Sequence, residues 1–165
     1  VFKTSKGQAL LLDLTFAFFL FLIAWSMLTS EFDKQLKTSQ DFASVQEMKV
    51  KADYVLEGLV KNSGTPQNWE SLQIADVNSI GLATKDREIS EKKLAAFSNF
   101  TAQYSTLKNI LGFEEYDFFF SFDGIDDSNA GLLPGGSANE VNAQRIVTYK
   151  GGIATAKLTV YKLTE

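Results

Sequence analysis

The chain has 165 residues, 16 basic and 20 acidic side chains, a net charge of −4, and neither cysteine nor histidine. Without cysteine there can be no disulfide framework, thiolate nucleophile or cysteine-ligated metal site within the chain, and without histidine the commonest general base and the usual zinc ligand are missing. The slight acidic excess supplies no basic field for nucleic acid, no nucleophile motif points to an enzyme, and no cofactor is expected.

The first element is Ala9–Ser30, ALLLDLTFAFFLFLIAWSMLTS, an apolar stretch with a single charge, Asp13. As a helix of about 22 residues it reaches roughly 33 Å, enough for the hydrocarbon core of a bilayer. Leu14, Phe16, Phe18, Phe19, Phe21, Leu22, Ile23 and Trp25 point all round such a helix, so it requires lipid or protein on every side. A carboxylate early in an apolar helix is costly and needs either a partner or an interface. Lys3 and Lys6 precede the stretch while Glu31 and Asp33 follow it, which places the start inside and residues 31–165 outside the membrane.

From Glu31 to about Asn62 the helical pattern continues without proline, and Phe42, Val45, Met48, Ala52, Val55 and Leu59 form an apolar seam for packing on a head. Gly64, Thr65 and Pro66 stop it. The head is expected over 64–165, after a filament-core or membrane helix at 1–30 and its amphipathic continuation at 31–63. A short helix is predicted at about 66–74, with Trp69 as a core anchor, and a second at 90–111. The latter opens at Ser90, stapled by Ile89 and Leu94, and closes at Gly112. Tyr116, Phe118, Phe120 and Phe122 then alternate with Asp117, Ser121 and Asp123, predicting a strand at about 116–122. Phe119 breaks the alternation and implies cover on both faces. A polar, glycine-rich loop follows, in which the Ser137–Glu140 spacing reads only as a turn. Strands at 143–149 and 153–162 flank Lys150, Gly151 and Gly152 as a hairpin, with Ala154, Ala156, Leu158 and Val160 on one face. The fold class is α+β, a long helix of about 50 residues packed distally on one or two helices and an antiparallel sheet.

Other candidate sites are local. Asp123, Asp126, Asp127 and Asn129 crowd one loop, a calcium candidate without EF-hand spacing and otherwise a solvated loop. Asn99-Phe100-Thr101 is the one N-x-S/T acceptor, either glycosylated outside the cell or silent on a helix.

The order of basic residues, Gly7-Gln8, apolar span with an early acidic residue, long helix and β-rich head resembles an archaeal type IV pilin with a class III signal peptide. The segments GTPQNW, SIGLA and YDFFFSF are similar to heads of euryarchaeal pilin-like proteins. The resemblance implies cleavage between Gly7 and Gln8 by a prepilin peptidase, and contact with the pilus assembly machinery in the cytoplasmic membrane. It further implies a helical homopolymer whose core is the apolar helices, packed through Asp13, Phe16, Phe18, Phe19, Phe21, Leu22 and Trp25. Such a filament attaches to surfaces or other cells, with its heads outside. Two features depart from the family pattern: Asp13 is sixth counted from Gln8, where the family tends to place its acidic residue fifth, and Val1–Gly7 are present. Within a filament Asp13 would meet Lys3, Lys6 or a new terminal amine of a neighbour, or else sit at an interface reached by water. The alternative reading is a single-span, membrane-anchored extracytoplasmic binding or accessory protein.

Overall fold

The structure is a computed structural model that describes residues 6–123, 128–136 and 139–162, the side chains of residues 6–10 and of Gln40 excepted. The chain divides into two units, Val1–Ala43 and Ser44–Glu165. One helix, α1 (Lys6–Lys61, 56 residues), supplies all of the first unit's described structure and the opening of the second. Among the described residues of the first unit every side chain from 11 to 43 is exposed.

The second unit is an α+β fold with its own core. Its part of α1 buries Met48, Ala52, Val55, Leu56, Leu59 and Val60, a stripe at the three- and four-residue spacing that a helix needs to present one face. The expected seam therefore starts later than the sequence pattern suggested, because Val45 is only partly buried and Phe42 is 64% exposed. The helix ends at Lys61, and two donors meet the carbonyl of Ser63 just beyond it. The Lys93 ammonium donates to it at 2.6 Å and the Trp69 indole at 3.1 Å. The indole also donates to the Gly81 carbonyl at 3.0 Å, so Trp69 is the anchor foreseen for it. A cation at this end complements the negative end of the helix dipole.

The helix predicted at 66–74 is instead two short 3₁₀ turns, Trp69–Ser71 and Ile74–Asp76. The chain must turn back here, because β1 (Gly64–Thr65) pairs antiparallel with β2 (Ser79–Ile80) and Trp69 is held by carbonyls on both sides. Two more short strands follow, β3 (Ala83–Lys85) and β4 (Glu88–Ile89). Elements of two or three residues are too brief to show a period of two.

The helix predicted at 90–111 is divided into α2 (Glu91–Asn99), a 3₁₀ turn (Phe100–Gln103) and α3 (Tyr104–Ile110). Gln103 leaves helical geometry, with φ −116° and ψ 48°. Long-range bonds hold the break: the Gly131 amide donates to the Thr101 hydroxyl, and the Tyr104 hydroxyl donates to Asp117 and accepts from the Phe118 amide. The end of α3 is a Schellman motif, with Phe113 N–H bonded to Lys108 O and Gly112 N–H to Asn109 O, and Gly112 at φ 77°.

The remaining strands are β5 (Asp117–Asp123), β6 (Ser128–Gly131), β7 (Asn139–Tyr149) and β8 (Gly152–Lys162). They complete a six-stranded sheet of order β3-β4-β7-β8-β5-β6. Its pairs are antiparallel except β4 with β7, which meet in parallel at Glu88↔Thr148. The β7–β8 hairpin turns through Lys150 (φ 48°) and Gly151 (φ 78°) between the paired Tyr149 and Gly152, the two positive φ angles of a type I′ loop. Strand β6 lies in the stretch expected to be loop. It is ordered by pairing with β5 (Phe120↔Ala130) and carries no β-branched residue that would have announced it.

Phe118, Phe120 and Phe122 are buried, with Val141, Ala143 and Val147 of β7 and Ala154, Ala156, Leu158 and Val160 of β8. The Phe97 and Phe120 rings meet edge to face at 5.3 Å, as do Phe122 and Tyr149 at 5.1 Å. Such pairs contribute about 0.5–1.5 kcal/mol each beyond area burial. Phe119 is only half-buried, so the cover on both faces that it implied is partial.

Candidate functional site

The first unit presents a helix with apolar side chains in every direction. Phe16, Phe18, Phe19, Phe21, Leu22, Ile23 and Trp25 are between 43% and 69% exposed. Among the described residues this is the single helix long and apolar enough to cross a membrane, with a mean hydropathy of 2.1 and none of the span buried. Exposure on this scale exceeds the few hundred Å² of contiguous apolar surface usual for a soluble monomer. The Phe21 and Trp25 rings, one helical turn apart, stack with centroids 6.0 Å apart.

Three hydroxyl side chains in the span are prepared for apolar surroundings. The Thr15 hydroxyl donates to the Leu11 carbonyl at 2.6 Å, Thr29 to those of Ser26 and Trp25, and Ser30 to that of Met27 at 2.9 Å. Each of these three hydroxyls thus brings its hydrogen bond with it and avoids the cost of burying an unpaired donor. Asp13 differs, being an exposed carboxylate among Leu11, Leu12 and Leu14. Of its expected partners, Lys3 and the side chain of Lys6 lie outside the described residues. Gly7 and Gln8 fall in the first turns of α1, and their side chains are outside the description as well.

The other candidates are scattered over the second unit. Asn99 is the exposed last residue of α2, while the hydroxyl of Thr101 in the same sequon accepts from the Gly131 amide at 3.1 Å. Asp123 is exposed at the end of β5, and Asp126 and Asp127 lie outside the described residues. Among the described residues no group of three metal-ligating side chains comes together. Glu140 belongs to β7, so the turn read at 137–140 gives way to strand by Asn139.

One charged cluster was hidden from the sequence reading. Arg145 on β7 donates through Nε to Glu57 at 2.7 Å and through Nη2 to Asp53 at 3.0 Å, tying the strand to α1 across 88 positions of sequence. Lys61 Nζ lies 2.6 Å from Glu57 and Arg87 3.6 Å from it. The hydrogen bond from Lys61, then that from Arg145, holds the Glu57 carboxyl down at about 2, against an ordinary value of 4.5. The cluster fastens helix to sheet. Tyr104, meanwhile, is pushed above the usual phenol range, by burial first and then by Asp117.

A comparison with known protein families, with curated proteins and with solved structures finds no match to this chain.

Proposed function

We propose that this chain is a structural, non-catalytic subunit of an extracellular pilus-like filament, assembled by packing its N-terminal apolar helices and serving surface attachment. The observation that carries the reading is the contrast between the two units. One has a complete core, whereas the other exposes large apolar side chains all round a helix. Outside a membrane, seven such side chains at about 1.5–3 kcal/mol each supply on the order of 10–20 kcal/mol when covered. That competes with the roughly 4–15 kcal/mol of freedom lost on association. Within lipid the same helix is content, so the membrane is its place before assembly and the filament its place afterwards. Contacts between unlike faces of successive copies generate a helical polymer where the rotation between copies does not close a ring. The resemblance to archaeal type IV pilins points the same way, with prepilin peptidase and the assembly machinery as partners.

A permutation of Phe16, Phe18, Phe19 and Phe21 with neighbouring leucines and alanines tests the reading, because it keeps hydropathy and changes shape. Packed cores register such changes, whereas a lipid-facing surface does not. Membrane insertion is retained and filaments are lost in the permuted chain. Filaments at the unaltered yield, or a native chain that stays dispersed in the membrane fraction, would establish the single-span anchored protein instead.

A further inference from the structure

The last turns of α1 border a groove that the packing of the second unit leaves open. A cavity of about 440 Å³ is lined by Tyr54, Gly58, Asn62, Ser79, Ile80 and Leu111 among others. A second, of about 370 Å³, shares Asn62 and Ser79 with it and extends to Gln67. Gly58 is the telling residue. Glycine is the poorest helix former after proline and has to be explained when it stands inside a helix. Here neither conformation nor close approach explains it, since a Cβ at Gly58 would meet no atom nearer than Asn62 Nδ2 at 4.0 Å. What the missing side chain leaves is the open space of the groove.

We infer that this groove binds a neutral carbohydrate. The Tyr54 ring, 80% exposed, offers an apolar face with a polar tip at one end, and Ile80 and Leu111 add an apolar wall. Asn62, Gln67 and Ser79 are exposed and each can both donate and accept a hydrogen bond, which matches sugar hydroxyls that do the same. The two charged residues of the lining, Glu57 and Lys61, are one of each sign and pair at 2.6 Å, so the lining carries no net charge that calls for a charged ligand. An apolar surface with a few convergent polar groups, in cavities of this size, is the usual constitution of a small-ligand site. The site gives chemistry to an attachment target but does not depend on filament assembly.

The test uses the full chain in a detergent without a sugar headgroup, such as lauryldimethylamine oxide. The probes are cellohexaose, maltohexaose, mannohexaose and chitohexaose, followed by NMR of the Asn62 and Gln67 side-chain amides and by calorimetry. At least one probe shifts both amides and binds with a Kd of about 1 mM or tighter. Tyr54→Ala weakens that binding about tenfold or more, and so does Gly58→Leu, which fills the groove. Gly58→Ala raises the thermal midpoint, and Gly58→Leu does not lower it, separating lost binding from lost folding. Absence of amide shifts with all four probes overturns the inference, as does binding that survives both Tyr54→Ala and Gly58→Leu. Equal binding of an acidic uronate hexamer overturns the neutral specificity. Filament formation plays no part in these readouts, so failure of the assembly reading leaves them interpretable.

Discussion

Removing residues 1–43 leaves a fragment, Ser44–Glu165, that folds as a soluble monomer. Among the described residues the first buried side chain is Met48, so the truncation removes no residue of the described core. Ser44 and Glu47 even provide capping-box spacing for the shortened helix. For about 122 residues at ~0.7 kcal/mol per residue, the unfolding enthalpy near 60 °C is about 85 kcal/mol. Were the first 43 residues part of the same cooperative structure, the full chain would absorb about 115 kcal/mol instead. Differential scanning calorimetry of the fragment in buffer and of the full chain in detergent separates the two values. Enthalpies near 85 kcal/mol for both are expected. Aggregation of the fragment, or a full-chain value near 115 kcal/mol, would refute the division into an independent head and an unsupported apolar helix.

Tyr104→Phe strands the Phe118 amide and removes a donor from Asp117, at a cost of about 1–3 kcal/mol in urea unfolding. Because the Glu57 carboxyl is depressed to about 2, its contribution to stability is complete above the ordinary value of 4.5 and is lost as the pH falls towards 2. Arg145→Met lifts that carboxyl back towards its ordinary value, so urea midpoints at pH 6, 4 and 2.5 fall less steeply in the variant than in the native chain; an unchanged slope would remove Arg145 from the account. Asp13→Ala impairs assembly while leaving membrane insertion intact, and fractionation beside electron microscopy checks both; a normal filament yield would deny the carboxylate a role.

The elements that could be read in the sequence are those whose residues answer to their own neighbours. Phe118, Phe120 and Phe122 alternate with the less buried Asp117, Phe119, Ser121 and Asp123 because one sheet face is buried, and α1 shows its stripe from Met48 to Val60 for the matching reason. The Schellman end at Gly112 and the Lys150-Gly151 hairpin are local backbone requirements, equally visible. The failures are contacts made at a distance. Strand β6 forms because β5 is there to pair with it, and the helix predicted at 90–111 breaks where Thr101 and Tyr104 serve the backbones of Gly131 and Phe118. Phe42 fits the period of the seam and is nonetheless exposed, since a periodic pattern does not say where the partner begins. Of the candidate sites, the apolar span was legible through composition alone. The Arg145–Glu57 tie joins residues 88 apart, and the groove at Gly58 is made by space, which leaves no mark in a sequence.

Negative-stain electron microscopy of material sheared from cells, or assembled from the purified chain, tests the central claim most directly. Thin, uniform filaments containing this chain are predicted. Dispersed particles that remain with the membrane fraction would contradict assembly through the apolar helix.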